Sequence, residues 1–356
     1  MITPESYPIQ QLELELGASW ENLNKARQLA LSTKEILLSR LEKHTSDDAN
    51  IVVFGSLARN EYTDGSDIDW TLLLDGKAKS NYLSIKNQIN KIIKAIENKP
   101  PGQEGTFGNI SISHDIIYKI GGGDDTNKNT TQRILLLLES TSIGNGNART
   151  RTINEVLNRY IGDDWAIRNK IDTMPRFLLN DIVRFWRTLC VDFAYKRKER
   201  DGKGWAIRTI KLRLSRKLIY VSGLIACYSC MTNDELIERI SAVNQRSDRK
   251  QMIIDYITSQ IKMTPLDIFS SAVLNNKVLY ESAKKVIDSY DEFIGLLSDK
   301  DKREELENIS PETTGKNELY EHARRLGHTF QSGLNEIFLE KNDSRFYELT
   351  KTYGVF

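Results

Sequence analysis

The sequence is poor in cysteine and has almost no net charge. Its three cysteines, Cys190, Cys227 and Cys230, are too few and too odd in number for a disulfide framework. Cys227 and Cys230 have zinc-knuckle spacing, but no second Cys or His pair follows nearby, so two small buried residues of a helix are the favoured interpretation. The 50 Lys and Arg residues against 49 Asp and Glu argue against a generic nucleic-acid coat protein.

Long apolar runs and a targeting segment are also missing. No stretch approaches the continuous apolar length that spans a bilayer, so no membrane partner is expected. The first residues, Met1 to Glu5, lack a basic region followed by an apolar core and do not have the pattern of a signal peptide. These absences predict a cytoplasmic protein and leave its oligomeric state open.

The charges are unevenly distributed along the chain. Between Arg168 and Lys217 there are fifteen Lys or Arg residues against five Asp or Glu, while the chain after about Asp288 is rich in acidic residues. A local basic face suits a triphosphate or a single strand as well as a duplex. An ordinary solvated helix surface explains the same composition, and the sequence leaves both interpretations open.

The most informative segment runs from Ile51 to Leu74. An apolar run ends abruptly at Gly55-Ser56, and eleven residues after this serine comes Asp67, with Asp69 two residues later and a second apolar run behind it. A strand would project Asp67 and Asp69 from the same face, next to each other. Two such carboxylates repel unless a cation lies between them, and Mg²⁺ takes a few carboxylate oxygens while leaving room for substrate phosphates.

The glycine and serine suit the other half of such a site. Gly55 lets the backbone approach a phosphate, and Ser56 to Arg59 would open a short helix with free N–H groups. The alternative is a hairpin in which the residues around Asp64-Gly65 only make a polar turn. That alternative leaves Asp69 unexplained, because it is embedded between two apolar residues.

This arrangement resembles the nucleotidyltransferase superfamily typified by DNA polymerase β. The resemblance extends to Ser56-x-x-Arg59-x-Glu61 and Gly65-Ser66-Asp67, a wording also found in small antitoxin-type transferases and regulatory uridylyltransferases. It implies a nucleoside triphosphate substrate and two Mg²⁺ (or Mn²⁺) ions held by catalytic aspartates. It also implies that the nucleotide is contacted by Gly55, Ser56, Arg59 and Ser66.

A third strand is predicted from Gly108 to Ile120 by alternation of apolar and polar residues. The superfamily usually adds a third carboxylate from a following strand, and Asp115 is the best candidate by its position in this pattern. Asp124 and Asp125 lie beyond three glycines and have the pattern of loop residues. The resemblance therefore implies a catalytic and metal-binding trio of Asp67, Asp69 and Asp115.

From Thr130 onward strand signals nearly vanish and helical periodicity dominates. The fold class predicted is an α/β nucleotidyltransferase core, a small mixed sheet with helices, followed by a predominantly α-helical domain. The polar stretch Glu304 to Lys316 is the best linker candidate. We expect a core with its N-terminal helix at 1–145, a helical substrate-facing domain at 146–310, and a C-terminal helix and tail at 311–356.

One predicted helix, from Trp205 to Ile225, carries a polar stripe. Arg208, Lys211 and Ser215 lie three and four residues apart, which places them on one face of an α-helix. In resembling families the helical domain contributes cations or hydroxyls to the triphosphate. Lys211 is the first candidate for this nucleotide-binding role and Arg208 the second, and an exposed basic stripe is the alternative.

The acceptor is not defined by the motif, since the superfamily includes polymerases, cyclic-oligonucleotide synthases, drug-modifying enzymes and enzymes that nucleotidylate proteins. The long helical domain favours a template-independent enzyme that transfers NMP or dNMP to a hydroxyl and makes an oligonucleotide or nucleotide signal. Antiviral defence, with an effector protein encoded nearby, is the context considered. Nucleotidylation of a protein, RNA or small molecule, and a catalytically silent nucleotide-binding scaffold, are the alternatives.

A template-independent synthase needs a first hydroxyl, and the C-terminal tail offers one. Tyr353, next to Gly354, is the candidate self-priming residue, provided that apolar residues such as Phe346 pin the tail near the cleft. The alternative is a tail that only packs on the helical domain.

Overall fold

The computed structural model describes residues 7–77, 79–96, 107–164, 167, 173–199, 202–311, 315, 317–341 and 344–354. The strands are β1 (Ala49–Phe54), β2 (Trp70–Leu74), β3 (Asn109–Ile112) and β4 (Ser140–Ile143). The helices of the first half are α1 (Pro8–Glu15), α2 (Glu21–Leu41), α3 (Gly55–Ala58), α4 (Tyr82–Ile96), α5 (Ser113–Tyr118), α6 (Asn127–Leu138), α7 (Asn147–Gly162) and α8 (Arg176–Glu199).

The second half is helical throughout its described part. Its helices are α9 (Trp205–Lys211), α10 (Lys217–Thr232), α11 (Asp234–Ala242), α12 (Arg246–Ile261), α13 (Pro265–Leu274), α14 (Tyr280–Ser298), α15 (Lys300–Asn308), α16 (Glu318–Asn335) and α17 (Arg345–Leu349). A π-helical segment, Leu212–Arg216, joins α9 to α10 without a break. The predicted fold class, a small mixed sheet with helices followed by a predominantly helical part, is confirmed.

The four strands form one sheet in the order β3-β2-β1-β4. β1 pairs antiparallel with β2, with Val53 opposite Trp70, and antiparallel with β4, with Phe54 opposite Ser140. β2 runs parallel to β3, with Leu74 opposite Ile112. The edge strand β4 has the sequence Ser-Thr-Ser-Ile and was not predicted, because it lacks the apolar alternation of the other strands.

The sheet is covered on both faces, because successive strand residues point to opposite sides. Ile51 and Val53 of β1 face a core formed with α2 and α4, while Val52 and Phe54 face α5, α6 and α7. The second of these cores continues into the helical part of the chain, where α10 is buried along most of its length. Cys227 and Cys230 are buried in α10, as interpreted from the sequence.

The N-terminal segment is fastened to the helical part. Arg27 of α2 forms a buried ion pair with Asp267 of α13 at 3.2 Å, and the Trp20 indole donates to Asp288 of α14 at 2.8 Å. The division at residue 145 stays a prediction, and these contacts connect its two sides. In the described part of the chain, no helix combines the length and the apolar character that crossing a membrane requires.

Candidate active site

Asp67 and Asp69 leave the sheet together at the start of β2. The Phe54 amide donates to the Asp69 carbonyl at 2.9 Å, which extends the β1–β2 ladder by one residue beyond Trp70. Ile68 between them is buried, so alternation places the two carboxylates on the other side of the chain. Asp67 is exposed and Asp69 is partly buried. The structure therefore brings this predicted pair together.

Gly55 lies directly against the Asp69 carboxylate. It has φ of +66°, in the left-handed region that favours glycine, and a Cβ added here would lie 3.0 Å from the Asp69 Oδ2 atom. Ser56 follows in the first turn of α3 and is partly exposed. Gly55 therefore allows the end of β1 to approach the Asp69 carboxylate closely.

Negative charge accumulates at Asp69. Burial, then the charges of Glu139 and Asp67, raise the pKa of Asp69 to about 7, while Lys211 and Arg59 act in the opposite direction. A carboxylate whose neighbours disfavour its charged form is a position where a bound cation gains energy. Glu139 precedes β4, whose residue Ser140 pairs with Phe54, so it lies at the same end of the sheet.

The donor set fits Mg²⁺ or Mn²⁺ only in part. Among the described residues no group of three or more His, Cys, Asp or Glu side chains converges to hold a metal ion. Two carboxylates nevertheless suit Mg²⁺, because this ion usually keeps several waters and completes its sphere with substrate phosphates. The raised pKa of Asp69 is the observation in favour of a cation at this position.

Lys211 faces the carboxylates from the helical part. Its charge acts on Asp69, and the charge of Asp67 acts on it. Burial, Arg303 and Arg216 together lower the pKa of Lys211 to about 8. The structure places Lys211 opposite the aspartates, as predicted. Two further cations, Arg303 and Arg216, lie beside it.

The π-helical segment explains why Arg216 joins Lys211. In an α-helix residues five apart differ by about 140° around the axis, so Arg216 would point away from Lys211. A π-turn bonds residues five apart and stacks them instead. Arg216 accordingly acts on both Lys211 and Glu139. No residue pattern in the sequence signals this extra residue in the turn.

The structure differs from the predicted polar stripe at two positions. The Arg208 guanidinium donates to the carbonyls of Gly204, at 3.0 Å, and of Lys203, and so covers the start of its own helix. The Ser215 hydroxyl is buried and donates to the Lys211 carbonyl at 3.1 Å. A helical wheel gives the face on which a residue lies and not the backbone carbonyls to which its side chain donates, and only Lys211 of the three predicted residues faces the aspartates.

Arg303 of α15 is a second cation that the sequence did not reveal. It is buried, its Nη1 atom lies 3.4 Å from the Thr63 hydroxyl, and it donates to Glu307 at 3.2 Å. Ser66 completes the same turn, with its hydroxyl 3.0 Å from that of Thr63 and 3.2 Å from the Thr63 amide. The Ser66 hydroxyl, predicted to contact the nucleotide, is therefore already used to shape the turn that leads to Asp67.

Arg59, another predicted nucleotide ligand, lies behind the site. Its guanidinium donates to Glu61 at 2.8 Å and to Glu139, and Tyr290 of α14 donates to Glu61 at 2.8 Å. Burial opposes the charge of Arg59, but the two glutamates hold its pKa above the ordinary value. Arg59 therefore fixes Glu139 beside Asp69 rather than facing a substrate.

Asp115 is not part of the site. The predicted strand ends at Ile112, and Asp115 lies exposed in α5, paired with Lys119 at 2.9 Å. Ile112 is opposite Leu74, five residues from Asp69, which is about 17 Å along the strand. Ile116 and Ile117 are both buried, which fits a helix and not the alternation that predicted a strand.

Tyr353 also lies elsewhere. Its ring is 5.7 Å from the Arg176 guanidinium carbon, and a Cβ on Gly354 would be 2.7 Å from the Tyr228 hydroxyl. Tyr228 is seventeen residues beyond Lys211 on a continuous helix, or about 25 Å. The tail packs on the helical part at this end, so its hydroxyls are not brought to the aspartates.

Comparison with known proteins agrees with this geometry. Residues 33–102 match the family described as nucleotidyltransferase domain, a segment that holds Gly55, Asp67 and Asp69. This part of the chain is a nucleotidyltransferase domain of the DNA polymerase β-like superfamily, and it supports general nucleotidyl transfer as the chemistry. No curated protein and no solved structure gives a significant match.

Proposed function

We propose that the protein is a metal-dependent, template-independent nucleotidyltransferase. It transfers NMP or dNMP from a nucleoside triphosphate to a hydroxyl, releases pyrophosphate, and makes an oligonucleotide or nucleotide signal. The observation that carries the proposal is the placement of the Asp67 and Asp69 carboxylates, at the Gly55 turn, opposite Lys211 of the helical part. Carboxylates for cations and a cation for phosphates are the parts that phosphoryl-type transfer needs.

Asp67 and Asp69 would hold the metal, two Mg²⁺ or Mn²⁺ ions in the proposal. When bound, these ions supply charge neutralisation at the attacking and leaving oxygens. The negative charge collected at Asp69, to which Glu139 contributes, favours their binding. Glu139 stays in its ion pair with Arg59, and its charge adds to the negative charge at Asp69.

The remaining groups position the triphosphate. Lys211 and Arg216 bind the β and γ phosphates, and Gly55 with Ser56 lets the backbone approach them from the other side. The acceptor oxygen then forms a bond to the α-phosphorus as the bond from that phosphorus to pyrophosphate breaks. The hydroxyl proton passes to water at the exposed side of the site.

The experiment is incubation of the protein with each labelled nucleoside triphosphate and Mg²⁺ or Mn²⁺, with pyrophosphate release measured and products resolved by size. We expect pyrophosphate and labelled products in solution. If the label stays on the protein, the protein itself is the acceptor. If labelled product appears only when a protein, RNA or small molecule is added, the acceptor belongs to that class of molecule. Absence of pyrophosphate with every nucleotide would favour the silent scaffold and contradict the proposal. An antiviral role with a neighbouring effector protein stays a prediction.

A further inference from the structure

Two aromatic–cation clusters lie on the helical part next to the candidate site. In the first, Trp186 of α8 stacks on Tyr220 of α10 with ring centroids 5.4 Å apart and planes 17° apart, and the Lys217 ammonium is 5.9 Å from the Trp186 ring. In the second, Trp205 of α9 lies 5.4 Å from Tyr320 of α16, and the Arg197 guanidinium is 5.9 Å from the Trp205 ring.

Arg213, in the π-helical segment, connects the two clusters. Its charge acts on Lys217 in the first cluster and on Tyr320 in the second, and it passes beside Gly327 of α16, where an added Cβ would lie 3.5 Å from it. Lys217 also donates to Gln331 on α16. From Tyr320 to Gln331 is eleven residues of helix, or about 16 Å. We call these two clusters with Arg213 the basic strip.

The basic strip carries cations that lie close to one another. Burial is the larger cause of the lowered pKa of Lys217, and the charge of Arg213 adds to it, so Arg213 lies close enough to act on this lysine. Arg324 of α16 is already paired with Glu321 at 3.2 Å and is not counted in the strip. Trp186 and Lys217 are partly exposed and Arg197 is exposed, so rings and charges are both accessible. A polyanion with flat apolar groups complements this surface.

The basic strip and the candidate site share one continuous helical stretch. Arg216, which acts on Lys211 beside the aspartates, directly precedes Lys217 on the same helix. Lys217, whose ammonium lies beside the Trp186 ring, is thus one residue from a cation of the candidate site. Alternating cations and aromatic rings are the surface that binds single strands, since cations track phosphates and rings stack on bases.

We propose that a single-stranded oligonucleotide, the acceptor or product of the transfer reaction, binds along the basic strip with a base on Trp186. The identification of the strand as acceptor or product rests on the proposed function. The binding of the strand is inferred from the basic strip alone. Duplex nucleic acid fits less well, because its bases are already stacked on one another.

The test is fluorescence anisotropy with a labelled twelve-nucleotide strand, as RNA and as DNA, in EDTA and without nucleoside triphosphate. We expect the wild-type protein to bind the strand with an affinity that falls with salt, and to bind an abasic strand of equal length more weakly. Trp186→Leu weakens binding of the normal strand by about fivefold or more and leaves the salt slope unchanged. Lys217→Gln reduces the salt slope by about one.

Lys128→Gln, which alters an exposed lysine of α6 outside the basic strip, is the matched control and leaves both quantities unchanged. Circular dichroism checks that each variant is folded, and a second ring change, Trp186→Phe, restores binding if stacking is the cause. Equal binding by wild type, Trp186→Leu and Lys217→Gln, or no binding at 0.1 M salt, overturns the inference. The binding assay involves no turnover, so the two proposals fail separately. Pyrophosphate release without strand binding would contradict only this inference. Strand binding without pyrophosphate release would contradict only the proposed function.

Discussion

Neutralising Asp69 should stabilise the metal-free protein, and more so as the pH rises. Burial and neighbouring carboxylates raise its pKa from 3.8 to about 7 in the folded state. The folded protein therefore holds this proton to a higher pH than the unfolded chain does, and stability falls as pH rises from about 4 to 7. At 1.36 kcal/mol per pKa unit, a shift of about 3 units costs about 4 kcal/mol above pH 7, and solvent at the open side of the carboxylate reduces this to about 2–4 kcal/mol.

Asp69→Asn removes this cost, because the amide has the size of the carboxyl and no charge. We expect its advantage over wild type in free energy of unfolding to grow by about 0.5–2.5 kcal/mol between pH 5 and pH 8.5, because part of the cost is already present at pH 5; urea denaturation in EDTA measures this difference. Millimolar Mg²⁺ should recover stability of the wild type at pH 8.5 and not of the variant.

Asp115→Asn is the control, since Asp115 is exposed and its pair with Lys119 is a surface pair, so the expected change is about 0.5 kcal/mol or less. An Asp69→Asn variant that is less stable than wild type at pH 8.5, or whose advantage does not change with pH, would refute the charge accumulation on which the metal proposal depends.

Three further outcomes follow from the same contacts. Above about pH 8, kcat/KM for the triphosphate should fall in the wild type as Lys211 loses its proton, and Lys211→Arg should move that fall to higher pH. Lys211→Ala should raise KM more than it lowers kcat. A pH profile that is unchanged in both variants would mean that the lysine has only a structural role. Arg59→Met leaves two buried glutamates without their cation and should cost about 3–5 kcal/mol in urea denaturation, whereas the exposed control Arg151→Met should cost about 1 kcal/mol or less. Gly55→Ala forces φ of +66° on alanine and sets a Cβ 3.0 Å from Asp69, so transfer should drop at least about tenfold in a folded protein; full activity would contradict the proposed closeness.

The fold was predictable where apolar periodicity is strong. Apolar residues at helical spacing in the sequence predict helices from Tyr82 to Ile96 and from Pro265 to Leu274, and the structure has both helices with these bounds. Gly55, Asp67 and Asp69 were found because residue type and spacing alone specify a tight turn next to paired carboxylates. Lys211 was predicted because helical domains of resembling families supply a cation to the triphosphate, whereas the other two residues of the predicted stripe bond to backbone carbonyls instead.

The other parts of the site depend on long-range geometry. Glu139 reaches Asp69 only because β4, a polar edge strand without an alternation signal, pairs beside Phe54. Arg216 reaches Lys211 only through a π-turn, and Arg303 comes from a helix almost a hundred residues further on. Asp115 was wrongly placed because a short alternating run continues into helix α5 where two adjacent isoleucines are both buried.

Pyrophosphate release by three proteins tests the assignment of the active site most directly. The double variant Asp67→Asn with Asp69→Asn, the single variant Asp115→Asn and the wild type are compared with each nucleoside triphosphate and Mg²⁺, after circular dichroism has shown all three to be folded. The account predicts release by the wild type and by Asp115→Asn at similar rates, and none by the double variant. Wild-type turnover in the double variant, or loss of turnover in Asp115→Asn, would contradict it.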